Sequence, residues 1–99
     1  MNYNNKCRQD FKLNKSSCIA WYLISSYGYY KLDESLLSDD VFDNICKYME
    51  VNWDNLTHKL KKYVYRESLS AGTGYNIEFN MLPEGFLRVI MNLVNKLEK

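Results

Sequence analysis

Apolar side chains recur at the spacing of an α-helix in three stretches of the sequence, and this periodicity predicts the fold class. The first stretch begins at Ser16 or Ser17, and either serine is a suitable N-cap. The second begins after Ser38, with two aspartates in its first turn. The third begins at Pro83, because proline is tolerated in the first turn of a helix. We therefore predict a small, mainly α domain, with a helical hairpin over about residues 16–64 and a C-terminal helix from Pro83.

The segments around these stretches give weaker patterns. Residues 1–14 are polar, and they are either loosely ordered or begin a helix near Cys7. A third helical segment is indicated after the hairpin's second helix by three apolar positions: Leu56, Leu60 and Val64. That segment either continues from the preceding helix or is separated from it by a break near Asn52.

The clearest break in the chain is SAGTGYN, which contains two glycines. We interpret Gly72-Thr73-Gly74 as a structural turn, because it is too short and lies in the wrong context for a dinucleotide-binding loop. Apolar and polar residues alternate from 75 to 80, which predicts one short strand or extended segment. Its partner would be the other arm of a short hairpin or the region around Tyr65.

Length, charge and cysteine content exclude several classes of protein. The 99 residues suit one domain over the whole of 1–99, and the formal net charge of +1 gives no overall electrostatic case for nucleic-acid binding. Three unevenly spaced cysteines and a single histidine indicate neither a disulfide scaffold nor a metal site. The polar start and the lack of a long apolar stretch predict a cytoplasmic protein with no membrane partner.

The stretch YYKLDESLLSDDVFD places aromatic and acidic residues where two helices meet. Tyr29 and Tyr30 lie at the end of the first helix. Asp39, Phe42 and Asp43 share one face at the start of the next. A flat aromatic ring fits between such side chains, with the carboxylates accepting hydrogen bonds from an amide or from ribose hydroxyls and favouring a positively charged ring. In the alternative interpretation the aromatics belong to the core and the aspartates complement the helix dipole. Gly28, in the last turns of the first helix, indicates close approach of a ligand or of neighbouring backbone.

This stretch resembles the N-terminal subdomain of bacterial NAD-dependent DNA ligases, which binds nicotinamide mononucleotide (NMN). The resemblance implies that Tyr29 and Tyr30 pack on nicotinamide. It also implies that Asp39 and Asp43 recognise the carboxamide and that Phe42 is the second stacking ring, in place of the usual tyrosine.

The resemblance covers about residues 16–55 and stops short of the ligase reaction. No lysine begins the Lys-x-Asp-Gly motif that accepts AMP, and a nucleotidyltransferase domain would be larger than this chain. The whole sequence is also similar to small bacteriophage proteins described as DNA-ligase-related. We therefore predict a protein that is not an enzyme and that acts in the cytoplasm of an infected bacterial cell.

Two functions follow as hypotheses. The first is a binding module for NMN, NAD or a related nicotinamide or ADP-ribose compound, without a required cofactor, that sequesters an NAD-derived signal. A basic run supplies candidate phosphate-binding residues, although such runs are usually solvated helix faces: Lys59, Lys61, Lys62 and Arg66. The alternative is a protein–protein interaction module that inhibits a host enzyme or defence factor, with Trp21, Trp53 and tyrosines as anchors.

Overall fold

The computed structural model describes residues 2–97, which form four α-helices. Short connections join the first three helices, and a long segment over residues 53–83 leads to the fourth. The helices are α1 (Asn4–Leu13), α2 (Ser17–Leu32), α3 (Asp39–Asn52) and α4 (Glu84–Leu97). Four single 3-10 turns lie between α3 and α4: Trp53–Asn55, Lys61–Tyr63, Arg66–Ser68 and Phe79–Met81. No helix of these described residues is long and apolar enough to cross a membrane.

Helix α2 is the centre of the fold, because it packs against each of the other three helices. Nine of its 16 residues are buried, as expected for a helix that is apolar on most of its circumference. The core around it includes side chains that are completely or almost completely excluded from solvent: Ile19, Tyr22, Leu23, Leu36, Met49 and Ile90.

The predicted hairpin and C-terminal helix are present, with starts close to those expected, but the hairpin ends at Asn52 and not near residue 64. Helices α2 and α3 begin one residue after Ser16 and Ser38, and α4 begins directly after Pro83. Neither serine side chain makes the capping hydrogen bond. The Ser16 hydroxyl instead accepts the Thr57 N–H at 3.0 Å, and the Ser38 hydroxyl donates to Asp40 at 2.5 Å. The serines therefore mark the helix starts by position, while their side chains contact other segments: Ser16 contacts Thr57, and the Ser38 hydroxyl also accepts a hydrogen bond of 2.9 Å from the Asn4 amide of α1.

The N-terminal segment, for which the sequence left two alternatives, is helical from Asn4. Cys7 is buried on its inner face. The Tyr3 hydroxyl donates a hydrogen bond of 2.6 Å to the Leu93 carbonyl, which ties the start of α1 to α4. Residues 1, 98 and 99 of the predicted domain lie outside the described part of the chain.

The predicted third helical segment is wrong, because α3 ends at Asn52 and the chain continues in 3-10 turns. The Lys61 ammonium donates to the carbonyls of Trp53 and Leu56, at 2.7 and 3.0 Å. These carbonyls therefore need no helical N–H partner. The apolar positions that suggested a helix are buried all the same: Leu56, Leu60 and Val64.

The predicted strand at residues 75–80 is also wrong, and residues 2–97 contain no strand. The alternation appears in burial from residue 77 onward, because Ile77 and Phe79 are buried while Glu78 and Asn80 are exposed. Tyr75, the first apolar position of the pattern, departs from it and is exposed. The backbone, however, is satisfied by local turns. The Ile77 N–H donates to Gly74 at 3.2 Å, and the Phe79 N–H donates to Ile77 at 3.0 Å. Since these donors are used within the segment, it needs no neighbouring strand.

Candidate functional site

The connection between α2 and α3 folds back on α2 and brings the end of one helix to the start of the other. Asp33 ends α2 in the left-handed conformation, with φ of 55°. The Glu34 N–H then donates to the Gly28 carbonyl at 2.8 Å. A Cβ atom on Gly28 would lie 2.9 Å from Leu36 Cδ1 and 3.1 Å from the Glu34 oxygen. The close approach predicted at Gly28 is therefore made by the chain itself.

A cavity of about 350 Å³ lies at this junction, and we call it the acidic cavity. All five ligand-binding residues predicted from the sequence line it: Tyr29, Tyr30, Asp39, Phe42 and Asp43. The rest of its lining comes from residues that the sequence did not indicate as site residues: Ser25, Ser26, Ser35, Leu37 and Gly72. The fold thus gathers residues from α2, α3 and a distant loop around one space.

The aromatic side chains of the acidic cavity differ in how firmly they are held. Tyr29 and Tyr30 are 58% and 42% exposed, and their rings meet edge to face with centroids 4.9 Å apart. Phe42 is half-buried and stacks on Tyr22, with centroids 5.6 Å apart and planes inclined by 13°. The alternative interpretation as core residues does not describe the two tyrosines, whose rings are available to a ligand.

Among the described residues, the charged side chains that line the acidic cavity are those of Asp39 and Asp43, and no lysine or arginine of residues 2–97 joins them. A Cβ atom on Gly72 would lie 3.2 Å from Asp43 Oδ1, so the loop backbone passes close to this carboxylate. Gly72 also has φ of 65°, a conformation that favours glycine. A ligand group that is cationic or rich in hydrogen-bond donors suits this lining, whereas a phosphate does not.

The loop over residues 70–76, which we call the glycine loop, forms one wall of the acidic cavity. The Tyr22 hydroxyl donates to the Thr73 carbonyl at 2.6 Å. The hydroxyls of Tyr30 and Thr73 share a second hydrogen bond, also of 2.6 Å. The sequence correctly indicated a turn here, but its role as a cavity wall depends on contacts between residues far apart in the chain.

Ser26 is a further point at which the glycine loop touches α2, besides Tyr22 and Tyr30. The residue is 1% exposed, and its hydroxyl has no hydrogen-bond partner within residues 2–97. A Cβ atom on Gly74 would lie 2.8 Å from Ser26 Cβ, so only glycine fits at this contact. Two features of the sequence could have indicated this contact: the small residues near the end of α2, and the two glycines of the glycine loop, Gly72 and Gly74.

The four basic residues predicted to bind phosphate do not line the acidic cavity: Lys59, Lys61, Lys62 and Arg66. Lys61 is engaged by two backbone carbonyls and lies 4.6 Å from the centroid of the Trp53 ring. Lys62 lies 5.4 Å from the centroid of the Tyr63 ring. Another basic residue, Lys31, follows Tyr30 at the end of α2, and its ammonium lies 5.8 Å from the centroid of the Phe79 ring.

The two tryptophans predicted as interface anchors have other roles in the structure. Trp21 is buried and donates from its indole nitrogen to Asp10 at 3.0 Å. Trp53 is half-buried beneath the Lys61 ammonium. Neither ring is therefore freely presented to a partner protein.

Cys46 is the thiol closest in sequence to the acidic residues of α3. Burial raises the pKa of this thiol to about 12, and the negative charge of Asp43 adds to the effect. The thiol therefore stays protonated at neutral pH and lacks the thiolate character of a cysteine nucleophile. Within residues 2–97 no group of three or more His, Cys, Asp or Glu side chains is arranged to hold a metal ion.

Comparison of the chain with protein-family models, with curated proteins and with solved structures gives no match.

Proposed function

We propose that this protein is a non-catalytic binding module for NMN, NAD or a related nicotinamide or ADP-ribose compound. The observation that carries the proposal is that five residues selected from the sequence for this purpose line one cavity. The resemblance to the NMN-binding subdomain of NAD-dependent DNA ligases gives the same five residues their individual roles.

The lining of the acidic cavity matches the chemistry of a nicotinamide ring. The oxidised ring carries a positive charge, which Asp39 and Asp43 attract, and its carboxamide offers N–H donors to the same carboxylates. Phe42 and the two exposed tyrosines, Tyr29 and Tyr30, supply flat faces against which a cationic ring is favourable. A volume of about 350 Å³ lies within the range of small-molecule sites.

The phosphate of the ligand is expected to point away from Asp39 and Asp43, because like charges repel. No lysine or arginine of residues 2–97 lines the acidic cavity, so the phosphate of the bound ligand would lie outside the cavity, at its open side. Lys31, at the end of α2, is the basic residue adjacent in sequence to Tyr30. In this arrangement the nicotinamide and its ribose are held, while the remainder of a larger compound such as NAD stays outside.

Binding without turnover suits a protein that lowers the free concentration of its ligand. We propose that it acts in the cytoplasm of a bacterial cell infected by a bacteriophage. There it would sequester an NAD-derived signal, and it would need no cofactor of its own.

Isothermal titration calorimetry of the purified protein with NMN, NAD, nicotinamide and ADP-ribose tests this function. We expect NMN to bind the unchanged protein and Asp43→Asn to weaken binding at least tenfold, about 1.4 kcal/mol. Asp54→Asn is the matched control, because Asp54 is an exposed aspartate that does not line the acidic cavity. Absence of heat with all four ligands, or an equal loss in both variants, would contradict the proposal.

A further inference from the structure

A second concave surface lies between α1 and α3, and we call it the basic groove. Its volume is about 500 Å³. Helix α3 contributes Val41, Ile45 and Tyr48, which are spaced i, i+4 and i+7 and therefore share one face. The acidic cavity uses a different face of α3, with Asp39, Phe42 and Asp43. One helix thus separates two concave surfaces.

The floor of the basic groove is apolar. Val41, Ile45 and Cys7 are buried beneath it. The rings of Phe11 and Tyr48 meet edge to face across it, with centroids 4.7 Å apart and planes at 87°. Both rings are half-buried, so apolar surface remains for an occupant to cover.

The rim of the basic groove carries Arg8, Lys12 and Lys15, and no aspartate or glutamate of the described part of the chain lines it. The ion pairs within residues 2–97 join Lys6 with Asp10 and Arg88 with Glu84, so they involve none of the three rim cations. Arg8 helps to lower the pKa of Asp40, but the main cause is the hydrogen bond that this carboxylate accepts from Ser38. The rim therefore has cationic charge to offer a partner.

We propose that the basic groove docks an acidic amphipathic helix of a partner protein. The cationic rim favours a partner with negative charge, because opposite charges are complementary at an interface. The apolar floor favours a helix with one apolar face. Such a helix would place apolar side chains over Phe11 and Tyr48 and carboxylates along the rim.

The distribution of the rim cations distinguishes this occupant from a small anion. Arg8 and Lys12 are one helical turn apart, about 6 Å along α1. Lys15 lies beyond the end of α1, with its ammonium 4.3 Å from the centroid of the Phe11 ring. A ligand with one carboxylate would meet only part of this row, whereas carboxylates on successive turns of a helix would follow it. A nucleic acid would satisfy the cations but would leave the apolar floor without a matching surface.

Selection from a displayed peptide library tests the proposal. The peptides are about 15 residues long, near the lower limit for an isolated helix, with randomised positions on both faces. We expect the enriched peptides to combine Leu, Phe or Met at i, i+3, i+4 and i+7 with Glu or Asp beside that stripe. The most enriched peptide is then synthesised and titrated by fluorescence anisotropy, next to a single-stranded oligonucleotide.

The double variant Arg8→Glu/Lys12→Glu should weaken binding of the selected peptide at least tenfold. Lys6→Glu is the matched control, because Lys6 lies on the same helix but does not line the basic groove. It should change the affinity less than about twofold, as is usual for a charge outside an interface. A cooperative urea-unfolding transition shows, independently of any ligand, that the double variant is folded. Its affinity for NMN should equal that of the unchanged protein.

Three results would overturn the proposal. The first is enrichment of basic or non-amphipathic peptides, or of none. The second is an equal loss of affinity in Lys6→Glu and in the double variant. The third is an oligonucleotide that binds as tightly as the peptide and competes with it.

Discussion

The acidic cavity and the basic groove lie on two faces of the same helix, and they are opposite in charge and in construction. Within residues 2–97, the cavity is lined by two carboxylates and no cation, whereas the groove is lined by three cations and no carboxylate. The formal net charge of +1 hides this separation. A near-neutral chain can therefore carry two surfaces of opposite charge. A small net charge does not exclude a charged binding surface when acidic and basic side chains lie on different helix faces.

The two surfaces also differ in how their walls are built. The basic groove is made by two helices, α1 and α3, whose side chains follow simple helical spacing. The acidic cavity needs the glycine loop, which Tyr22 and Tyr30 hold through Thr73. We therefore expect changes in the glycine loop to alter the cavity and leave the groove intact.

The largest expected effect is a loss of stability at alkaline pH, caused by buried thiols that include Cys7 beneath the basic groove. Burial raises the pKa of the Cys7 and Cys18 thiols to about 11, and that of Cys46 to about 12, from an ordinary value of 9.0. The unfolded chain therefore releases these protons first as the pH rises. The stability contributed by the protonated thiols is complete below pH 9.0 and is lost progressively toward the folded-state values.

In this pH window each thiol is deprotonated in the unfolded chain and still protonated in the folded one. The free energy of unfolding therefore falls by at most about 1.4 kcal/mol per thiol and pH unit. Urea unfolding at about pH 7 and about pH 10.5, under reducing conditions, measures the sum. Cys46→Ala should flatten the decline by roughly a quarter to a third, since it removes one of three similar thiols and burial also raises the pKa of Tyr22 from its ordinary value of 10.0. Equal stability at both pH values would contradict the burial of the thiols.

Gly74→Ala should have the next largest effect and should separate the two surfaces. Its new Cβ would lie 2.8 Å from Ser26 Cβ and 3.0 Å from Ile77 Cδ1, so the glycine loop must move. We expect a loss of about 1–3 kcal/mol in urea unfolding, and weaker NMN binding with unchanged peptide binding in the groove. Gly85→Ala is the control, because no neighbouring atom of the described residues lies within 4 Å of the Cβ that this substitution adds. It should leave stability unchanged or raise it by up to about 1 kcal/mol.

A smaller effect is expected from the hydroxyl groups that hold the glycine loop. Tyr22→Phe leaves the Thr73 carbonyl without its donor in a partly buried position. We expect this change to lower the free energy of unfolding by about 1–2 kcal/mol. Tyr30→Phe removes an exposed hydrogen bond to the same residue and should cost about 0.5 kcal/mol. Chemical denaturation of the two variants in parallel measures the difference. A cost as large for Tyr30 as for Tyr22 would show that burial does not distinguish the two bonds.

The sequence predicted those parts of the fold that depend on local patterns of residues. Helices α2, α3 and α4 were predicted because apolar periodicity and start signals such as Ser38 and Pro83 agree. The segment from Trp53 onward was not, because its buried leucines have helical spacing while the Lys61 side chain satisfies carbonyls in place of a helix. Alternation at Ile77 and Phe79 likewise described burial correctly and strand formation wrongly.

The candidate site shows the same division. Tyr29, Tyr30, Asp39, Phe42 and Asp43 lie close together in the sequence, so helix geometry and a short connection were enough to place them together. The glycine loop reaches the cavity through a hydrogen bond between residues 51 positions apart, Tyr22 and Thr73. No spacing rule predicts such a contact, because it depends on the path of the whole intervening chain.

The most direct test of the account is a calorimetric comparison of oxidised NMN with its reduced dihydronicotinamide form. The two ligands have nearly the same shape, but only the oxidised ring carries a positive charge for Asp39, Asp43 and the aromatic faces. We predict that oxidised NMN binds about tenfold more tightly, and that Asp43→Asn reduces this preference. Equal affinity for the two forms, or tighter binding of the reduced form, would contradict the claim that the negative charge of the acidic cavity selects its ligand.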